Sequence, residues 1–242
     1  MKVAVCLSGH FRSFNRIYQS IINNLIEPNH ADVFIAAWVD NMGNWLPRTA
    51  TPNPRNHPGF RLDSPVVSCE FISDVITILK PKAMHLDHYF LHDQQFQTML
   101  HQYNDWHSSD IHHAPKSTLS MNWIRQVSIK LKYWYEQQHN FMYDYVVYTR
   151  FDIEHRKRLD ISQLDSNIIT CCKGGADWHP GDIWFGGPSN LMDTVGNQFS
   201  NIDELIDAKT FNFGPHEWQY AYFKYKQIPW INSTALDVWT VR

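Results

Sequence analysis

The pattern that most limits the fold lies in residues 3–38. Val3-Ala4-Val5-Cys6-Leu7 is an uninterrupted apolar run, the signature of a strand covered on both faces. A turn is expected at Ser8-Gly9. Phe11, Phe14, Ile17, Tyr18, Ile21, Ile22 and Leu25 then recur at helical spacing, and Asp32-Val33-Phe34-Ile35-Ala36-Ala37-Trp38 is a second apolar strand. Strand, helix and strand in so short a stretch form a βαβ unit. Its strands run parallel and its crossover is right-handed.

Downstream the alternation continues. Pro47, Pro52, Pro54, Pro58 and Pro65 break the polar stretch 40–65, which reads as a long loop, either a lid or a surface insertion. A helix is expected over 68–79 and a third strand over 83–86. Residues 92–118 are polar and allow a short helix at most. The longest helix is expected over 119–139, with Leu119, Trp123, Val127, Leu131 and Trp134 as its apolar stripe. An apolar strand at 143–148 follows. Later strands are expected at 168–172, 182–185 and 229–231, and helices at 189–207 and 215–226. The fold class is α/β: one domain over 1–242, with a mostly parallel central sheet flanked by helices. Residues 1–150 form its regular half and 151–242 a more irregular one.

Composition excludes several classes. Hydrophobic residues make up 43% of the chain, enough for a sizeable core. The net charge is -3 with no basic block, which argues against nucleic-acid binding. Cys6, Cys69, Cys171 and Cys172 make no C-x-x-C pair, so neither a zinc ribbon nor a disulfide scaffold is expected. The histidines are scattered apart from His112-His113, with no H-E-x-x-H spacing, and read mostly as surface residues. No secretion signal and no transmembrane segment are expected, and the expected location is the cytoplasm.

Four segments can carry chemistry. In the first, the strand at 143–148 runs into Arg150-Phe151-Asp152-Ile153-Glu154. Ligands of open α/β sheets bind beyond the carboxyl ends of strands. On an extended chain Asp152 and Glu154 project to one side and can share a hard cation, with Arg150 as a fixed positive charge. The bland alternative is a strand end with solvated, mutually paired charges. In the second, Ser8, Gly9 and Arg12 sit at the first strand-to-helix turn, where a backbone can approach an anion; otherwise this is an ordinary turn with Ser8 as helix cap. The third, residues 174–187, concentrates Asp177, Trp178, Asp182 and Trp184 among glycines. It is either a carboxylate-and-aromatic sugar site or a glycine-rich hairpin with buried tryptophan. In the fourth, Pro215 opens a helix carrying His216 and Glu217; Glu217 is a candidate ligand contact, or simply a partner for the helix dipole.

Taken in order, these segments resemble a family of GT-A-like glycosyltransferases of surface-polysaccharide clusters, large viruses and phages. Val5-Cys6-Leu7-Ser8-Gly9-His10-Phe11-Arg12, the second strand, the run from Tyr143 to Asp152, Asp182-Ile183-Trp184-Phe185-Gly186 and the late helix from Pro215 all contribute. The resemblance implies a GT-A, Rossmann-like sheet and transfer of a sugar from a nucleotide-diphospho-sugar donor to a glycan or other hydroxyl acceptor. It also implies Mn2+ or Mg2+ as cofactor. Asp152 is similar to the acidic D-x-D residue that meets metal and diphosphate, with Glu154 and His216 as further metal candidates. Ser8, Gly9 and Arg12 would contact the donor, Trp178 and Trp184 would flank the acceptor, and Arg150 and Glu217 are further substrate-binding candidates. Asp182, then Asp177, would be the catalytic base of an inverting reaction. The sequence departs from D-x-D in carrying Arg150 two residues before Asp152. Either Asp152 and Glu154 supply the pair in a shifted register, or Arg150 replaces part of the metal's charge. Two rivals remain, a non-catalytic glycan- or nucleotide-binding protein on the same fold and a two-carboxylate glycoside hydrolase.

Overall fold

Val3–His10 (β1) lies at the middle of the sheet, hydrogen-bonded in parallel to Asp32–Trp38 (β2) on one side and to Tyr145–Arg150 (β4) on the other. The elements around it are those of a computed structural model that describes residues 1–39, 67–102, 115–173, 179–207, 214–234 and 236–241. Ala83–Asp87 (β3) extends the parallel part beyond β2. Beyond β4 come Pro180–Gly187 (β7), antiparallel to both its neighbours, then Ile169–Lys173 (β6) and Trp230–Asn232 (β8), which are parallel to one another. The order is β3-β2-β1-β4-β7-β6-β8, a mostly parallel seven-stranded sheet in a single α/β domain. Ile153–His155 (β5) and Val238–Thr240 (β9) pair separately as a small antiparallel ribbon.

Period-two alternation sorts the strand residues between two cores. Cys6, Phe34, Ala36, Trp38, Val146, Tyr148 and Phe185 face one layer, made by helices Tyr89–Gln102 (α3), Pro115–His139 (α4), Ser189–Gly196 (α5), Ile202–Asp207 (α6) and Pro215–Tyr225 (α7). Val5, Leu7, Val33, Ile35, Ala37 and Val147 face the other, covered by Phe14–Ile21 (α1) and Cys69–Leu79 (α2). Both faces are buried, which explains why the strands read as unbroken apolar runs. Ser68 caps α2, accepting the Phe71 N–H at 3.1 Å.

Several expectations change. Ser8 and Gly9 belong to β1, which runs on to His10, so the turn starts later. A full helix, α3, occupies 89–102, where a short one at most was expected. The expected helix 189–207 is two helices, α5 and α6, because the chain leaves helical geometry after Gly196, whose missing side chain lets it lie against Ile129 of α4. The expected stripe of α4 misplaces Trp134, which is 57% exposed. Its buried face instead includes Arg125, Ser128, Lys132 and Glu136. Lys132 donates to Glu136 Oε2 (2.9 Å), Ser189 Oγ (2.6 Å) and Asp193 Oδ1 (2.5 Å), and Glu136 Oε1 accepts from the Tyr143 N–H (2.8 Å). This network ties α4 to α5 and to the approach to β4. The proposed loop at 40–65 lies outside the described residues. Among the described residues no helix is long and apolar enough to cross a membrane.

Candidate functional site

The strand order reverses between β1 and β4: β2 and β3 build outwards on one side of β1, while β4 starts the other half. In open α/β sheets such a switch point opens a crevice beyond the carboxyl ends of the two strands. The residues that end β1 and β4, His10 and Arg150, therefore flank one crevice, with Arg12 and Asp152 just past them. The antiparallel course of β7 starts that strand, with Asp182, at the same edge, since Thr149 pairs with Trp184.

Asp152 is the buried centre of the group, 2% exposed. Its Oδ1 accepts from Arg150 Nε at 2.8 Å, and its Oδ2 from Arg150 Nη2 at 2.5 Å and Arg12 Nη1 at 3.1 Å. Burial alone would raise the Asp152 pKa, but the Arg150 and then the Arg12 guanidinium outweigh it and hold the carboxyl below its usual range. For Arg150, burial opposes the charge, while Asp152 and more weakly Asp182 favour it, leaving its pKa raised. The backbone is fastened as well. Asp152 O accepts the Val241 N–H at 2.8 Å, and Val241 O accepts the Ser13 hydroxyl at 2.7 Å, so the residue after β9 staples the turn to the start of α1.

Asp182 forms a second group. It is buried on β7, and His216 Nδ1 at the start of α7 lies 3.1 Å from its Oδ1, close but off the line of a hydrogen bond. Asp182 also favours the Arg150 charge, and β7 begins at the sheet edge where β4 ends. Gly9 has φ +111°, a conformation that favours glycine, and the space its side chain would fill is open.

Other expectations come out differently. Asp152 and Glu154 do not project together, because the chain turns at Phe151–Asp152 instead of staying extended. Glu154 sits on the small β5–β9 ribbon, 37% exposed, accepting from Arg156 Nε at 3.2 Å. Trp184 is fully buried in the core that contains Leu7 and Phe14, so it is not a wall for an acceptor. Ser8 is also buried, its hydroxyl spent on Tyr148 Oη at 3.2 Å. Glu217, at the third position of α7, folds its carboxylate back over Gly214, and its Oε2 is buried with no hydrogen-bond partner among the described residues. Asp177 and Trp178 lie outside the described residues. Asp152, Arg150, Arg12, Gly9, Asp182 and His216 are brought together; Glu154, Trp184 and Ser8 are not available to a ligand in the crevice through their side chains.

Two residues were missed. His10 ends β1 beside Arg12 and Arg150; burial first, then the Arg12 charge, holds its pKa down to about 3, so its ring is neutral. Its place directly after Gly9 was the available signal. Arg125 on α4 is wholly buried beneath the site, its guanidinium 5.6 Å from the Tyr148 ring centre and 5.4 Å from that of Phe185. It donates to Gln219 Oε1 (2.8 Å), Gln198 Oε1 (2.6 Å) and Asn122 Oδ1. No local pattern announces a buried cation held by three carboxamides.

His155, on β5, gives a pH test of this half of the domain. It is 2% exposed, its Nε2 has no partner among the described residues, and burial lowers its pKa to about 4. The unfolded ring titrates near 6.5. Between these values the unfolded chain binds the extra proton, so stability is full above pH 6.5 and declines on acidification by about 1.4 kcal/mol per pH unit. Urea midpoints measured from pH 7 to 4.5 should fall, and His155→Phe should flatten that fall. An unchanged slope in the variant would assign the loss to other groups.

No protein-family model matches this chain, and no curated protein matches it either.

Proposed function

We propose that the chain is a glycosyltransferase of the GT-A type, moving a sugar from a nucleotide-diphospho-sugar to the hydroxyl of a glycan or similar acceptor. The observation that carries this reading is the convergence of Arg12, Asp152 and Arg150 with the Asp182–His216 pair at the switch-point crevice. The chemistry needs an anion-holding group beside a proton acceptor, and this site has both. The acceptor oxygen forms a bond to the anomeric carbon as the bond from that carbon to the diphosphate oxygen breaks. The electron pair leaves with the nucleoside diphosphate, and the acceptor's proton passes to the Asp182–His216 pair. A proton acceptor so placed suits single displacement with inversion. The sheet order and the residue resemblance through Tyr143–Asp152 and Asp182–Gly186 support the same reading.

The resemblance also implies a divalent cation. The described residues do not fit one at Asp152: both carboxylate oxygens already face guanidiniums, Glu154 is on another sheet, and no group of three or more His, Cys, Asp or Glu among the described residues could hold a metal. No step above is routed through a metal.

A thermal-shift panel of nucleotide sugars, each with and without Mn2+, tests the function, followed by nucleoside diphosphate release in the presence of oligosaccharide acceptors. One nucleotide class should stabilise the protein, by about 2.7 kcal/mol at a hundredfold excess over Kd, and the same class should turn over. Stabilisation without turnover would instead support the binding-protein reading, and no response to any nucleotide would sink both. Asp182→Asn should keep the thermal shift and lower turnover roughly 10²–10⁴-fold. Unimpaired turnover in that variant would remove Asp182 from the reaction.

A further inference from the structure

We propose that the diphosphate is held at this site by the Arg12–Asp152–Arg150 bridge itself, with guanidinium in the place a divalent cation would take. The inference rests on the donor reading above and names how that donor is gripped.

The bridge has the layout of an anion clamp. Its carboxylate is buried, whereas the side chains of Arg12 and Arg150 are 28% and 20% exposed, so the cations stand between the carboxylate and solvent. Arg150 meets Asp152 through Nε and Nη2, a two-pronged contact that fixes the plane of the guanidinium. A guanidinium has five N–H donors, so three remain on Arg150 beyond those given to Asp152. Planar, pre-oriented donors of this kind match phosphate oxygens.

The surroundings point the same way. Arg12 follows β1 and Arg150 ends β4, so the two cations come from the two strands that flank the switch point. Between them, Gly9 leaves open space over its backbone. His10 Nδ1, beside both arginines, is buried with no partner among the described residues, a polar atom that a ligand oxygen or hydroxyl would satisfy. A divalent cation brought to Asp152 would instead compete with two guanidiniums for three engaged lone pairs and repel both. Asp182 lies at the edge of the clamp and pairs with His216, which leaves the negative charge on the side where the acceptor's proton must go.

Isothermal titration of the full chain with inorganic pyrophosphate, in EDTA and again in excess MnCl2, tests the clamp. Binding should be measurable in EDTA, and Mn2+ should tighten it less than about threefold. Arg150→Met and Arg12→Gln should each weaken it at least tenfold. Arg150→Lys, which keeps the charge but not the fork, should also weaken it, and thermal melts of each variant establish that it is folded. Binding that vanishes in EDTA and returns with Mn2+ would overturn the clamp, as would wild-type affinity in folded Arg150→Met. The two proposals fail separately. Pyrophosphate binding in EDTA by a protein that turns over no nucleotide sugar keeps the clamp and sinks the transferase. Transfer that requires Mn2+ keeps the transferase and sinks the clamp.

Discussion

Asp152→Ala should abolish sugar transfer and, in the same step, lower the stability of the domain by about 3–5 kcal/mol, the usual result of leaving one side of a buried ion pair alone. The side chain is 2% exposed and holds two guanidiniums from positions far apart in the chain. Without it Arg150 loses the two-pronged contact that fixes its guanidinium, beside the like charge of Arg12. In a chain of 242 residues such a loss should lower Tm by roughly 10 °C. Asp152→Asn keeps the shape and loses the charge, so it separates packing from electrostatics. The pH dependence has a definite sign. Because the folded pKa of Asp152 is held low, the bridge contributes fully above the ordinary carboxylate pKa of about 3.9. That contribution is lost only as pH falls through the lower folded value. The stability gap between wild type and Asp152→Asn should therefore be constant from pH 7 to 5 and close in stronger acid. A gap that closed near neutrality, or full turnover by Asp152→Ala, would remove Asp152 from the centre of the site.

Arg125→Met carries the second large effect, and its readout is stability. Three carboxamides, on Asn122, Gln198 and Gln219, are satisfied by this one guanidinium. Burial lowers its pKa, and among the described residues no carboxylate is paired with it; the rings of Tyr148 and Phe185 face the cation instead. Methionine removes the cost of burying the charge but orphans the three oxygens, at about 1–3 kcal/mol each. The net expectation is a loss of about 3 kcal/mol and a Tm lower by roughly 6–12 °C. Gln219 also donates to Gly181 O at 2.9 Å, next to Asp182. Slackening Gln219 should therefore reduce turnover as well. A melt within 2 °C of wild type would mean that the desolvation cost of the charge and the satisfaction of the amides cancel.

The local record in the chain was sufficient for the strands of the central sheet and for the charged strand end that was the candidate site. Buried parallel strands leave unbroken apolar runs, so 3–7, 32–38 and the run before Arg150 were legible without partners. The carboxyl end of such a strand is where ligands bind, which located Arg150, Asp152 and Arg12. The three-residue strands β5 and β9 were not anticipated, although the equally short β8 was. Missing them meant treating residues 150–154 as extended, and with that error Glu154 was placed beside Asp152. The polar face of α4 escaped for a related reason. Lys132, Glu136 and Arg125 look like solvent-facing residues until α5, α7 and the break after Gly196 bring Asp193, Ser189, Gln198 and Gln219 against them.

By itself, then, the sequence determined the βαβ opening, the α/β class and the strand end at which charge gathers, since each is set by side-chain periodicity over a few neighbouring residues. Only the tertiary structure decided which of those charges gather at the sheet edge. It turned Trp184 inward, sent Glu154 to a separate ribbon and placed Asp182 against His216. It also gave Asp152 to Arg12, a partner 140 residues away. The physical reason is that ion pairing and burial depend on distances between elements, and those distances exist only once the sheet order has been chosen.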